Sequence, residues 1–577
     1  MVSIVVDTRL IMIYFYFLEV VRDILIRFFS LSLVLLSTCL LFGCAGMTEL
    51  TTHTYEDFVA MVFSEEDLDF SNVEVDLSAS NLTVDSIAEI DKFGRRVARL
   101  LDSPLRLGSI GSAILDRLEL SYAGHLAMYH YYEHLENEHA SVHEAQLDRI
   151  VEYMTTERDG SLEKPYRALS PVDAVLFVQQ SGYRVIGSIY VQTNVEPMVL
   201  QVMRSKEEGP FDEVFFDLSA IYPVLLREFE SRNVEASQAP LPLVLVNLAN
   251  AGDSSAQLSL GRFLANGGAT SRAETMYIAA SRADNGYAHM LYGNLFVSRA
   301  FDPNERDSHR YLQVAQSHYS QAIDYGYHTA LRQLGWLLHR GYFGNSRRSD
   351  GMGMLERAAS FDDALALRYL GDVYRGGFHE QVDLQRAARF YERAAETGDR
   401  MARIEYYRVV AHPDSGLDVG KKVVDWLHDS AANDDVIAML ELGNCYVRGC
   451  AQKPNYRKAL RWYRKAVETA PENPEVVNTV AWTLAVTDQK RLRNPAYALK
   501  IVDHLMANDE ESRANPMIVD TWAAAYAATG NFERAVELQR EAIALAYREQ
   551  LSPELIDDIE SHLDSFLNGE ALSESIP

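Results

Sequence analysis

Residues 366–377 read A-L-R-Y-L-G-D-V-Y-R-G-G, and residues 383–398 read D-L-Q-R-A-A-R-F-Y-E-R-A-A-E-T-G. In the first segment Ala366, Gly371 and Gly377 are small, while Leu370 and Tyr374 flank Gly371 at helical spacing. Small side chains in that pattern let a second helix approach closely, and the large ones fill the space between. Gly377 suits the left-handed conformation that ends a helix, and Asp383 suits the N-cap of the next one. Ala387, Phe390, Tyr391, Ala394 and Ala395 then recur three or four apart, which makes one buried face. The stretch predicts two antiparallel helices of about a dozen residues each.

The same frame returns along the chain. Ala438, Leu442, Gly443, Tyr446 and Gly449 keep it whole. Ala330, Leu334, Gly335, Leu338 and Gly341 lose only the aromatic, as do Ala256, Leu260, Gly261, Leu264 and Gly267. Ala288, Tyr292, Gly293 and Phe296 form a looser copy with Arg299 at the final position, and Ala402, Tyr406, Tyr407 and Val410 a worn one. Second helices align through Tyr319 with Ala322, Ala358 with Ala359, Trp426 with Ala431, and Tyr463 with Ala466. A recurring period of this length is the signature of stacked hairpins. These residues resemble the Sel1-like repeat, a relative of the tetratricopeptide repeat, over about half the chain.

Beyond residue 470 the pattern becomes a plainer tetratricopeptide form. Asn478, Ala481, Trp482 and Ala485 open one hairpin, and Tyr497, Ala498 and Val502 complete it. Asp520 to Tyr526 open the next, and Gly530-Asn531-Phe532-Glu533-Arg534-Ala535 is its turn. Ser552-Pro553-Glu554 then starts a helix whose apolar face is Leu555, Ile556, Ile559, Leu563, Phe566 and Leu567, as a terminal cap requires. The expected fold is mainly α: a solenoid of helix hairpins preceded by a small α+β or mostly helical N-terminal domain. The expected segments are 1–43 signal, 44–82 tether, 83–235 N-terminal domain, 242–470 Sel1-like repeats, 474–548 tetratricopeptide-like repeats and 552–568 cap. Residues 233–241 read as the linker into the array.

The N-terminal domain is less legible. Helices are expected from about Thr83 to Leu101, from Ser109 to Leu135 and from Ser141 to Thr155. Arg184 to Val191, Met198 to Met203 and Glu213 to Leu218 are short, β-branched and aromatic, and predict a small antiparallel sheet. Val172 to Val178 reads equally as a strand or as the end of a helix.

Arg22 and Arg27 precede an apolar run from Phe28 to Phe42, which has the length of a signal-peptide core. The run ends in Leu41-Phe42-Gly43-Cys44. This is similar to the lipobox of bacterial lipoproteins, in which the Cys is lipidated and becomes the new N-terminus. The resemblance implies lipidation at Cys44, and Ala45 in place of Asp implies an outer-membrane address on the periplasmic face. The alternative is a plain transmembrane anchor counted from Ile11. Cys39 lies inside the signal.

The 54 basic and 82 acidic residues leave a formal charge of −28, which argues against nucleic acid as a partner. That acidity serves solubility or a basic partner. The repeats hold no nucleophile beside a base and no glycine-rich phosphate loop, so neither catalysis nor a cofactor is expected there. An array of hairpins curves, its first helices line the inner wall, and such a groove takes extended peptides or other envelope proteins.

Two other patterns carry chemistry. His130-Tyr131-Tyr132-Glu133-His134 fits H-x-x-E-H, which resembles the inverted zincin motif. His130 and His134 would hold Zn²⁺ and Glu133 would activate a water, with Glu207, Glu208 or Glu213 as a third ligand. The competing reading is a hydrated helix rich in His and Glu, with His125, His139 and His143 nearby. Cys445 and Cys450 flank Gly449; a disulfide there needs Gly449 to bend the chain, and otherwise Cys445 is a small buried residue.

Overall fold

Asn, Asp, Ser and Thr side chains start most of the helices. Thr83, Ser121, Ser170, Asp383, Asp435, Asn473, Asn515 and Ser552 each accept a hydrogen bond from a backbone N–H in the first turn that follows. The structure, a computed structural model, describes residues 51–64, 70, 73–77, 80–194, 196–206, 210–230, 240–283, 285–303, 305–376, 378, 380–450 and 453–575. The signal segment 1–43, Cys44, Glu207, Glu208, Gly377 and residues 233–239 lie outside these. Among the described residues no helix is long and apolar enough to cross a membrane.

The chain divides into two compact units. One holds the described residues up to Ser181 with Ile189–Val202 and Glu213–Ser259; the other holds Gly182–Ser188, Met203–Asp212 and the residues from Leu260 onward.

In the first unit, β1 (Thr51–Thr54) pairs parallel with β2 (Val73–Asp76), joined through α1 (Tyr55–Val62). Helices α2 (Val84–Leu100), α3 (Gly108–Leu115), α4 (Tyr122–His134) and α5 (His139–Thr155) follow. Then come β3 (Tyr166–Arg167), α6 (Pro171–Gln180) and α7 (Tyr222–Glu230), while β4 (Arg184–Val191), β5 (Val199–Ser205) and β6 (Phe211–Asp217) have residues in both units. The sheet order is β3-β6-β5-β4, with β3 parallel to β6. An edge strand leaves carbonyls unpaired, and here side chains cover them: Ser259 Oγ donates to the Tyr190 carbonyl at 2.7 Å, and in the second unit Asn285 Nδ2 donates to the Ser188 carbonyl at 2.8 Å.

Three expectations need correction. Residues 44–82 are not a bare tether, because β1, α1 and β2 lie within them. The average polarity of that stretch hides Phe58, Phe70, Val73, Val75 and Leu77, all buried. Phe58 and Phe70 pack on Tyr153 with ring centroids 4.8 and 5.9 Å away, so the segment has its own apolar anchor. The helix expected from Ser109 to Leu135 is two helices. Ser121 breaks it by capping α4 and by donating to buried Asp173 at 2.8 Å. Val172 to Val178 is helical, since Ser170 caps α6 and Pro171 occupies its first position.

In the second unit the helices pair in sequence. Among the described residues these pairs are α8 (Ser254–Asn266) with α9 (Thr270–Ser281), α10 (Gly286–Ala300) with α11 (Ser308–Asp324), and α12 (Thr329–His339) with α13 (Arg348–Ser360). They continue as α14 (Ala364–Gly376) with α15 (Leu384–Glu396), α16 (Arg400–Val410) with α17 (Lys421–Ala432), and α18 (Val436–Arg448) with α19 (Tyr456–Thr469). The last are α20 (Pro474–Val486) with α21 (Pro495–Asn508) and α22 (Pro516–Ala528) with α23 (Phe532–Arg548), followed by α24 (Pro553–Leu567).

One device recurs inside the hairpins. A glycine of the first helix lies bare beneath a tyrosine ring of the second. A Cβ on Gly261, Gly293, Gly371 or Gly443 would stand 2.3–2.6 Å from the ring of Tyr277, Tyr319, Tyr391 or Tyr463. The tyrosine hydroxyl then donates to the residue after the glycine in three of them: Asn294 at 2.8 Å, Asp372 at 2.6 Å and Asn444 at 2.8 Å. At Gly335 the opposing residue is Gly351, and backbone meets backbone. Gly341 and Gly449 take positive φ at the ends of their helices; near Gly267 it is the next residue, Gly268, that does so.

Candidate interaction surface

The first helices of the array are almost enclosed. In α18 most residues are buried, and the first helices reach the surface along a narrow stripe that is largely polar but includes Phe263, Leu365, Met401 and Met517. That stripe is knitted across four successive first helices. Arg375 of α14 pairs with Glu405 of α16, and Arg408 bonds Glu405 at 3.2 Å. Arg408 also reaches Glu441 of α18 at 2.7 Å and Glu475 of α20 at 3.1 Å. Asn444 donates to Glu441 at 2.9 Å. Burial alone would lower the Arg408 pKa, but Glu441, Glu405 and Glu475 together hold it above its usual value. A second set of ion pairs runs from one first helix to the N-cap region of the next: Arg332 to Asp363 at 3.1 Å and Arg368 to Asp399 at 3.4 Å.

Removing Arg408 leaves Glu441, whose side chain is 9% exposed, without its charge partner. Arg408→Ala is expected to cost about 2 kcal/mol, less than for a fully buried pair because solvent reaches the arginine. Pairing Arg408→Met with Glu441→Leu should restore most of that loss. Urea denaturation of the two variants checks both expectations.

Clefts open on this unit. One of 670 Å³ lies between Val382–Arg386 and Asp414–Ser415, with the Arg386 guanidinium 4.1 Å over the Tyr374 ring. Another, of 490 Å³, lies between α20, α22 and α24 and is lined by Asn478, Trp482, Asp520, Asp558, His562 and Glu574 among others. At its floor His562 Nδ1 is 2.9 Å from Asp520 Oδ1, and Trp482 Nε1 donates to Glu574 at 3.3 Å. Burial works against the charged His562, but Asp520, Glu574 and Asp558 win and raise its pKa.

The H-x-x-E-H side chains are not joined by a third metal ligand among the described residues, and Glu207 and Glu208 lie outside those. His130 and Glu133 contact one another at 3.5 Å on α4, and Tyr129 donates to Glu133 at 3.0 Å. Among the described residues no set of three or more His, Cys, Asp or Glu side chains is grouped to hold a metal ion. Glu213, one of the expected third ligands, lies exposed on β6.

The neighbouring histidines do something else. His125 and His143 bring their Nδ1 atoms within 2.9 Å, and His289 and His318 do so at 3.0 Å in the second unit. Burial first, then the facing His143, pushes His125 down to about 4; burial and His289 do the same to His318. A base whose folded pKa is lowered stabilises the fold above its unfolded pKa of about 6.5 and loses that stability as pH falls toward 4. Acid titration of unfolding should show the loss, and His125→Gln should remove roughly 2 kcal/mol of the drop between those limits.

Gly449, in the left-handed conformation, bends the chain after Cys445, and the Cys450 N–H donates to the Cys445 carbonyl at 3.0 Å. Both cysteines are free thiols here, and Cys450 lies 3.9 Å from the Tyr407 hydroxyl.

The ladder and the cleft escaped the sequence reading. A signal was present: Glu405 and Glu441 hold one column of the repeat frame, and Arg408 and Asn444 hold the column after the glycine position. The His562–Asp520 pair joins residues far apart in sequence and left no such trace.

Hairpins nested through bare glycines, with a knitted polar stripe, define a helix-hairpin repeat protein. Residues 364–399 and 436–468 match the family model of the Sel1 repeat. In those two segments the chain carries Sel1 repeats, which are relatives of the tetratricopeptide repeat. Among solved structures it is similar to a Sel1 repeat protein from Oxalobacter formigenes, at 21% identity and a TM-score of 0.35, over 43% of this chain and 98% of that one. It is also similar to c5321, a protective antigen of uropathogenic Escherichia coli strains displaying an SLR fold, at 15% identity and a TM-score of 0.31, over 83% of this chain and 95% of that one. No curated protein matches the chain.

Proposed function

We propose that this protein is a non-catalytic scaffold of the bacterial cell envelope, held to the periplasmic face of the outer membrane by a lipid on Cys44. Its hairpin array binds other envelope proteins or their extended segments, in support of exopolysaccharide export or envelope assembly. Sel1-repeat proteins generally mediate protein–protein interaction, which supports the binding part of this reading. The observation that carries it is the run of ion pairs from Arg375 through Glu405, Arg408 and Glu441 to Glu475, which links successive first helices through buried Glu405 and Glu441 and leaves Arg375, Arg408 and Glu475 reaching the surface. Charge that reaches the surface favours register and selectivity for a partner.

The test is affinity purification of the full-length protein from its own cells. A defined partner in constant stoichiometry, retained through washing and competed by untagged protein, is expected. The anchor has its own test: Cys44→Ala should abolish metabolic labelling with a palmitate analogue and release the protein from the membrane fraction. Labelling that survives the substitution would contradict the assignment.

A further inference from the structure

The cleft between α20, α22 and α24 has an unusual balance of groups. Three carboxylates, Asp520, Asp558 and Glu574, line it, and among the described residues no Lys or Arg does. Its one basic side chain, His562, is already bonded to Asp520. One acceptor in the cleft wall lacks a partner. The Asn478 side-chain oxygen, in the wall, is buried and unbonded. Gln539, fully buried and outside the lining, gives its NH₂ to Asp520 and to the Ile559 carbonyl and so fixes two residues of the wall. A buried acceptor without a donor is costly, so a ligand that brings an N–H group to Asn478 gains what the free protein lacks.

The wall supplies the rest. The Trp482 ring stands beside His562, with centroids 5.5 Å apart, and Met517 and Leu555 are each 39% exposed at the rim. An indole face, apolar flanks and carboxylates together fit a long stem with a flat cationic head. The surface also holds extended chain already. Glu574 N–H donates to the Val486 carbonyl at 2.8 Å, the Asp488 N–H to the Glu574 carbonyl at 2.9 Å, and Arg493 to the Leu572 carbonyl at 3.1 Å. Backbone pairing of this kind is how a sheet edge takes up a peptide.

We infer that this cleft receives an arginine side chain from an extended segment of a partner protein, lying alongside residues 572–575. The inference rests on the scaffold reading and names the chemistry of one contact in it. The guanidinium is favoured over an ammonium because its five donors in a plane can meet Asp558, Glu574 and Asn478 together.

The experiment uses full-length protein in detergent and fluorescent nine-residue peptides with a central arginine, citrulline or glutamate in an otherwise degenerate sequence. Fluorescence anisotropy should show arginine peptides binding at least about tenfold tighter than citrulline peptides, which keep the shape and lose the charge. Asp558→Asn with Glu574→Gln, both at exposed positions, should weaken arginine-peptide binding by about tenfold and leave citrulline binding unchanged. Equal binding of arginine and citrulline peptides, or full retention of arginine binding in the double variant, would overturn the inference. A stoichiometric partner still recovered with that double variant, together with equal peptide binding, would place the failure at this cleft and leave the scaffold standing.

Discussion

Gly443→Val should lower the stability of the second unit by about 3 kcal/mol, the upper end of overpacking costs. A Cβ at that position lies 2.3 Å from Tyr463 Cε1, and the ring cannot retreat. Tyr463 is 1% exposed, and its hydroxyl is held by Asn444 at 2.8 Å. A helix interior normally gains from losing glycine, by up to about 1 kcal/mol, so the sign of the change separates the two effects. If intrinsic propensity governed, the variant would be more stable. The account requires the reverse, with Tyr463→Leu in the same chain relieving part of the loss. Residues in direct contact couple in this way, and a double-mutant cycle in urea reads the coupling. The loss should also be local. Each hairpin leans mainly on its neighbours, so hydrogen exchange should quicken first in α18 and α19 and only later in α8 and α9.

Tyr391→Ala is the larger change, expected to cost about 4 kcal/mol, in the range for removing a buried aromatic ring. Tyr391 is fully buried, lies over Gly371 and donates to Asp372 at 2.6 Å. Tyr391→Phe keeps the ring and drops the hydroxyl, and should cost only about 1 to 2 kcal/mol. The ratio of the two tells packing from hydrogen bonding. Burial first, then Asp372, holds the Tyr391 hydroxyl well above its ordinary pKa, so it donates at every working pH. Thermal unfolding followed by circular dichroism gives both numbers.

The hairpins were legible because the residues that let helices nest are also the residues that stand out in a sequence. Gly371 and Gly443 each precede a tyrosine by twenty positions, and Asp372 and Asn444 hold the matching polar column. Helix starts were legible for the same reason, since Asp383 and Ser552 act within one turn of themselves. What was not legible depends on long-range contact. Residues 51–77 look polar on average, yet Phe58 and Phe70 find Tyr153 far along the chain. The run of ion pairs through Arg408 needs three neighbouring helices to be in place. The cleft needs α24 to fold back so that His562 reaches Asp520, a pairing set by stacking geometry and by no local pattern. The H-x-x-E-H motif shows the limit of local spacing: His130, Glu133 and His134 share a helix as that spacing demands, but a third ligand is a long-range matter, and among the described residues none approaches them.

The most direct test places a photoreactive residue at Gln333 or Met517, on first helices, and at Arg389 or Arg540, exposed on second helices. Irradiation of living cells is expected to yield one defined cross-linked partner from Gln333 and Met517, competed by excess unlabelled protein, and little from Arg389 and Arg540. Equal yields at all four positions, or cross-links confined to Arg389 and Arg540, would contradict a binding surface built from the first helices.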